Sequence, residues 1–333
     1  MGKSPGGLPH RRPGRSEVTT ILTQGGFDEW LKHCKRTHRE AYVIPNEGMA
    51  CLTGVCIIKS EESMPSGDRG RTLKLCTFKI SDLESGKRFG ELLFKTVFDY
   101  ADNNNYDFIY FTAFPKQDEL IAFSESFGFQ VSEKQNDRGE YIVYKNLSYP
   151  LNDTENLSPL EFHIKYGPRR VLFKDNNTFL VPIKPIYHQV LFPELEPQIP
   201  LFHEARPCGN SIKKAYLCHS SIKQINPGDN ILIYRSEDKS GITAIGAVED
   251  ALRTTNPDEI ARHVGSRTVY SFDSIVDFCR KPTLAIRFRY VKGLNTPIRL
   301  NELKQKGIIK SAPQSILKLR KEKLEWIKTK LNM

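Results

Sequence analysis

The stretch Ser85-Gly86-Lys87-Arg88-Phe89-Gly90 separates two runs of different periodicity. Before it, residues 72–80 alternate, with Leu73, Leu75 and Thr77 on one side and Lys74, Cys76 and Phe78 on the other. That two-residue period predicts a strand. After it, Phe89, Leu92, Leu93, Val97 and Tyr100 share one face of residues 87–101, which predicts an amphipathic helix. The turn therefore opens a helix directly after a strand. A helix start leaves N–H groups without intrahelical partners and carries a partial positive charge, so it attracts phosphate. Gly86 and Gly90 let backbone and ligand approach closely, and Lys87 and Arg88 add charge at the same place.

Strand and helix signals alternate on both sides of this turn. Residues 27–39 predict a helix with Phe27, Trp30, Leu31 and Cys34 on one face. Residues 50–58 form an apolar, β-branched run and read as a strand, and the polar stretch 60–70, with Pro65 and Gly67, reads as a loop. Asp102 and Asn103 to Asn105 supply turn chemistry after the central helix. Residues 107–114 are almost continuously apolar, as a central strand is. Residues 118–127 read as a short helix closed by Gly128, and 141–145 as a strand.

The order strand, Gly-Lys-Arg-Phe-Gly turn, amphipathic helix, apolar strand and short helix ending in Phe127-Gly128-Phe129 resembles the GNAT acetyltransferase family over residues 17–147. The family's Arg/Gln-x-x-Gly-x-Gly/Ala turn falls on residues 85–90. Gly90 matches, Ser85 takes the first position, and Arg88 stands where the family prefers glycine. The resemblance implies a bent, mixed sheet flanked by helices that holds acetyl-CoA. The backbone of Phe78, Lys79 and Ile80 would pair with the pantetheine arm. Ser85, Gly86, Lys87, Arg88, Phe89 and Gly90 would cradle the pyrophosphate. The family's acid, a tyrosine four residues before the Gly-Phe glycine, is replaced here by Ser124, a poor acid. Tyr110 on the central strand and Glu47 before the strand at residue 50 are the other catalytic candidates. An aromatic in a strand is more often core, and a loop carboxylate is more often solvated. His33 and His38, among lysines and arginines, read as surface residues.

The second half differs in charge and in pattern. Residues 1–150 carry 20 Lys/Arg and 20 Asp/Glu, and residues 151–333 carry 29 and 19, so the whole excess of +10 lies in the second half. A basic domain favours a polyanion, nucleic acid first. Residues 1–16 read as a disordered tail and 148–160 as a linker. Short strands are expected at 171–173, 178–183, 230–234, 243–248 and 284–290, with helices at 257–264, 272–279 and 316–331. That makes a β-barrel-like unit with helices at its margins, and the whole chain α/β (α+β).

The segment Cys208 to Cys218, the Pro227-Gly228-Asp229 turn and the strand ending Tyr234-Arg235 resemble the PUA-like superfamily, nearest its ASCH and EVE branches. The resemblance assigns 161–333 to such a domain and implies binding of RNA or a modified nucleotide. The residues for it are Asn210, Ser211, Lys213, Lys214, Tyr216, Tyr234 and Arg235, with Arg287 and Arg289 on one strand face for phosphate.

Seven scattered cysteines without a CxxC pair, and no apolar run long enough to span a bilayer, are expected of a reduced cytoplasmic protein. His188, His203 and His219 do not combine with cysteines at metal-ligand spacing, so no metal site is expected. The combined expectation is an N-acetyltransferase whose basic domain presents an RNA-linked amine. The alternatives are a non-catalytic reader of RNA or modified nucleotide, and a protein acetyltransferase.

Overall fold

The computed structural model describes residues 27–37, 39–45, 52–81, 84–196 and 206–331, with side chains from Lys32 onward. The chain divides into two compact units between Tyr149 and Pro150. The expected tail at 1–16 lies outside the described residues.

The first unit contains, in chain order, α1 (Phe27–Arg36), β1 (Glu40–Pro45), β2 (Leu52–Ser63), β3 (Arg69–Ile80), α2 (Phe89–Asn103), β4 (Phe108–Ala113), α3 (Asp118–Glu125), β5 (Gln130–Gln135) and β6 (Tyr141–Asn146). Its sheet runs β1-β2-β3-β4-β6-β5. All neighbours are antiparallel except β3 and β4. α2 is amphipathic as expected; Leu93 and Val97 of the expected stripe are buried together with Phe94, Phe98 and Ala101, while Phe89, Leu92 and Tyr100 are half-buried, and Phe94 is the hub. Its ring lies 4.7 Å from Phe78, 5.0 Å from Phe123 and 5.3 Å from Phe129. These contacts clamp α2 between β3 and α3 and so fix where its N-terminus points. In α1, Cys34 is buried against Val43, Val55 and Ile57.

Two features differ from expectation. Residues 60–70 are not a loop. β2 runs to Ser63 and β3 starts at Arg69, joined by a tight turn in which Gly67 N donates to Met64 O at 2.9 Å. This end of the hairpin is exposed, so it lacks the apolar alternation that marks a half-buried strand. β1 and β5 carry no such alternation either: β1 is buried on both faces at Ala41–Ile44, and β5 is a polar edge strand.

The second unit contains α4 (Asp153–Asn156), α5 (Pro159–Tyr166), β7 (Thr178–Ile183), α6 (Pro185–Leu191), α7 (Pro207–Asn210), β8 (Lys213–Cys218), β9 (Asn230–Arg235), β10 (Gly241–Thr254), α8 (Pro257–Val264), α9 (Phe272–Phe278), β11 (Thr283–Arg299), α10 (Leu300–Gln305), β12 (Leu317–Lys318) and α11 (Leu324–Leu331). Its sheet runs β12-β7-β9-β10-β11-β8. β7 and β9 are parallel, and the remaining neighbours are antiparallel.

The barrel-like sheet is open: its edges β12 and β8 share no ladder among the described residues. The β10–β11 ladder shifts register between Ile242/Ala244, Ile245/Gly246 and Val248/Asp250, and such irregularities add local bend and twist. Both faces are then covered. Ile231, Ile233, Ile286 and Phe288 pack in one core, while Leu232, Tyr234, Ile245 and Val291 pack in another beneath α11. A third cluster seats α8 and α9 on Ala215, Leu217 and Ala285.

Other expectations shift for local reasons. Val171 and Phe173 anchor an irregular segment to the second core rather than forming a strand. The helix expected at 316–331 begins only at Leu324. Ile316 belongs to one core and Leu319 to the other, which one straight helix turn cannot satisfy, so β12 forms there instead. The stretch 148–160 holds α4 and the start of α5. Ser158 and Glu161 close a capping box on α5.

Candidate cofactor cleft and nucleotide surface

β3 and β4 pair over three residues only, Thr72↔Phe108, Leu73↔Ile109 and Lys74↔Tyr110. Beyond that point β3 stays with β2 as far as Ile80↔Gly54, and β4 stays with β6 as far as Ala113↔Tyr141. The parallel strands therefore part in the middle of the sheet. A bulge at Cys76, between the Ile58↔Leu75 and Ile57↔Thr77 pairs, lies at the start of the parting. Phe78, Lys79 and Ile80 line it, and β4 offers them no ladder partners. An extended ligand with amide groups could complete such a broken ladder.

The turn at the mouth of this cleft holds two left-handed residues. Gly86 has φ +85°, with open space where a Cβ would sit. Arg88, the N-cap of α2, has φ 61° and ψ 27° and makes no side-chain cap. This is the position where the resemblance prefers glycine. The backbone keeps the glycine conformation although the residue is arginine, at a cost of about 1 kcal/mol. Lys87 pairs with Glu84 at 2.7 Å, and Arg88 with the buried Glu91 at 3.4 Å. The side-chain charge of the turn is thus partly answered within the chain, so its anion affinity rests mainly on the N–H groups of the first turn of α2. Gly90 has a packing reason of its own: a Cβ there would stand 3.3 Å from the Phe123 ring.

The catalytic candidates fare differently. Ser124 is fully buried, and its hydroxyl donates to Leu120 O at 2.8 Å. That hydrogen bond returns to its own helix and faces no cleft. Tyr110 pairs with the last residue of the β3–β4 ladder, and its hydroxyl donates to Glu61, which also holds Lys59 at 2.7 Å. Burial first, and then the Glu61 carboxylate, push the Tyr110 phenol far above its ordinary range. A phenol so placed keeps its proton and is a strut more than an acid. Sequence reasoning did not single out Glu61, because no local pattern links residues 61 and 110. Glu47 and His38 lie outside the described residues, and His33 is exposed.

In the second unit the expected nucleotide residues are largely committed internally. Arg235 is bonded bidentately to Asp238, pairs with Glu196, and has a nitrogen 3.3 Å from His188 Nδ1. His188 is fully buried with Nε2 2.8 Å from Thr243 Oγ1, and burial is the largest force holding its pKa below the ordinary 6.5. Lys214 is fully buried and donates to Cys208 O at 2.8 Å and Gly209 O at 3.2 Å. Asn210, Ser211 and Tyr234 are buried, and the Tyr216 hydroxyl donates to Pro182 O at 3.2 Å. Arg289 and Lys213 share Glu249, at 3.0 and 3.6 Å, and Arg287 lies 3.8 Å from Asp250. The two arginines do share a strand face, as the alternation requires, but carboxylates from β10 stand opposite both.

No group of His, Cys, Asp or Glu suited to a metal ion occurs among the described residues, and no helix there is long and apolar enough to cross a membrane. The described cysteines are all free thiols.

Residues 214–329 match the model of the EVE domain family. No curated protein matches the chain. Similar solved structures include ASCH from Zymomonas mobilis, 16% identical, covering 46% of this chain and 96% of its own with a TM-score of 0.37. An acetyltransferase of the GNAT family from Staphylococcus aureus Mu50 is 15% identical, covering 36% of this chain and 76% of its own with a TM-score of 0.30. Arabidopsis thaliana Naa50, in complex with the bisubstrate analogue CoA-Ac-MVNAL, is 22% identical, covering 30% of this chain and 68% of its own with a TM-score of 0.25.

The first unit thus has the mixed sheet, parted at its centre and with the start of α2 at the mouth of the parting, that the resemblance to GNAT acetyltransferases leads one to expect. The match to the EVE domain family spans most of the second unit.

Proposed function

We propose that the chain is an acetyl-CoA-dependent N-acetyltransferase whose EVE-type unit engages RNA or a modified nucleotide carrying the acceptor amine. The observation that carries the reading is the three-residue β3–β4 ladder opening onto the left-handed turn that starts α2. Pantetheine amides would complete the ladder along Phe78–Ile80. The pyrophosphate would take the N–H groups after Arg88. The amine needs no dedicated base if it enters neutral, because proximity in the cleft supplies much of the rate.

The test is release of free CoA thiol from acetyl-CoA by the full chain, with total tRNA as acceptor and ribonuclease-treated tRNA as control. Acetyl transfer that requires intact RNA supports the reading. Binding of acetyl-CoA without turnover on RNA or protein leads to the second reading, a cofactor-binding unit without catalysis. The buried Ser124 and the Glu61-bound Tyr110 favour that alternative. Turnover on protein amines alone identifies a protein acetyltransferase.

A further inference from the structure

The positive charge of the second unit is distributed in two ways. On β8, β9 and β11, Lys213, Arg235, Arg287 and Arg289 face carboxylates, and Lys214 is held by backbone carbonyls. The segment from α10 to α11 is different. Residues 300–331 hold nine Lys/Arg against three Asp/Glu, which is more than half of the chain's net charge in 32 residues. Lys304, Lys306, Lys310, Lys318 and Arg320 are exposed, and among the described residues none lies within ion-pair distance of a carboxylate.

These residues belong to one folded layer. Its apolar side chains, Leu303, Ile308, Ile309, Leu319, Leu324 and Ile327, all enter the core beneath α11. Lys323, just before α11, donates to Gly307 O and to Ile308 O, which ties the loop after α10 to the segment after β12. The Lys330–Glu302 pair at 3.0 Å joins α11 to α10. Lys318 ends β12, which pairs with β7 on one side only, and Arg320 follows two residues later.

We infer that this α10–β12–α11 layer is the surface that binds the phosphate backbone of RNA, and that the β-strand arginines are structural. The inference rests on the proposed RNA reading and says which face carries it. Free cations at the surface release counterions when they meet phosphates, whereas cations already paired with carboxylates gain little. A lipid surface fits less well. The layer's apolar side chains point inward, and Leu317 is its one large exposed apolar residue, whereas membrane-surface helices need an apolar face turned outward.

The test is binding of a labelled, mixed-sequence RNA hairpin with a single-stranded tail, by anisotropy, from low to physiological salt. The full chain is compared with a variant carrying Lys304→Glu, Lys310→Glu, Lys318→Glu and Arg320→Glu, and with Arg287→Gln. Melting temperatures confirm that each chain is folded; exposed lysines outside any ion pair are expected to leave them unchanged. Charge reversal is expected to weaken RNA binding about tenfold or more. It should also flatten the log–log salt slope by about 0.7 to 0.9 for each phosphate that is no longer neutralised. Arg287→Gln is expected to leave both unchanged. Equal binding by the reversed and natural chains overturns this inference and leaves the RNA reading standing. No RNA binding by the natural chain at low salt overturns both. Binding instead to phosphatidylserine vesicles, abolished on reversal, assigns the layer to a membrane and also overturns the inference.

Discussion

In the first unit the candidate site is made of backbone, and in the second the conspicuous side chains are made into architecture. The cleft between β3 and β4, and the turn from Ser85 to Gly90, depend on where strands part and on two residues with positive φ. Their side chains are exposed or already paired. In the second unit, Arg235, Lys214 and Arg289 look like ligands in the sequence, yet they are buried and bonded inside the fold, and Tyr234 is buried with them. The contrast shows that a charged residue beside a motif says little about binding until its partners are known. Strand register, which sequence hardly reveals, carries more.

The contrast breaks most sharply at Arg235. Its guanidinium is 3% exposed and holds Glu196 beside the buried His188. Arg235→Ala leaves that carboxylate without its cation and is expected to destabilise the second unit by about 3 kcal/mol or more. Denaturant unfolding of the full chain measures it. Retained stability would mean that Arg235 is free for a ligand.

Next comes the turn. Gly86→Val forces a β-branched residue to φ +85° and is expected to cost about 1–2 kcal/mol. It should weaken acetyl-CoA binding about tenfold by titration calorimetry, since a misplaced turn misaligns the N–H groups that hold phosphate. Ser85→Ala, beside it, is expected to change affinity less than twofold. Equal effects of the two substitutions would refute a backbone site.

Acidity sharpens the same comparison. His188 titrates below its ordinary 6.5 in the folded chain. The unfolded chain therefore takes up this proton first, and stability falls as pH drops through about 6.5, by at most about 1.4 kcal/mol per pH unit. Glu196 and Asp238 are held below their ordinary values despite burial, Glu196 mainly by His188 and Arg235 and Asp238 mainly by Arg235. They add stability above those values that is lost in more acid solution. The second unit's melting temperature should fall between pH 7 and 5, and His188→Gln should flatten that fall.

The smallest effect is expected at Ser124. Ser124→Ala removes one hydrogen bond to Leu120 O and should cost no more than about 1 kcal/mol. Acetyl-transfer rate should be unchanged, because the hydroxyl faces its own helix. A large rate loss would restore Ser124 as a catalytic group.

The fold was legible where burial is one-sided. The alternation of residues 72–80, the stripe of α2 and the helix at residues 257–264 all stand where their patterns place them. It was illegible where burial is two-sided or absent. β8 sits between two covered faces, and its Lys213-Lys214 pair reads as polar although Lys214 is interior. The β2–β3 hairpin end is exposed on both sides and reads as loop. In the site, the glycine turn was visible in the letters. The parting of β3 from β4 was not, because it arises from β6 and β2 each claiming one strand. The pairing of Arg287 and Arg289 with acidic residues on β10 was hidden for the same reason, since those partners lie some 40 residues away.

The central claim, that the first unit binds acetyl-CoA with its backbone, is tested most directly by amide hydrogen exchange of the full chain with and without acetyl-CoA. Slowed exchange is expected in two places, at residues 78–80 of β3 and at residues 89–91 that start α2, with little change elsewhere in the sheet. Slowing at neither place at saturating acetyl-CoA, or slowing confined to the second unit, would contradict it.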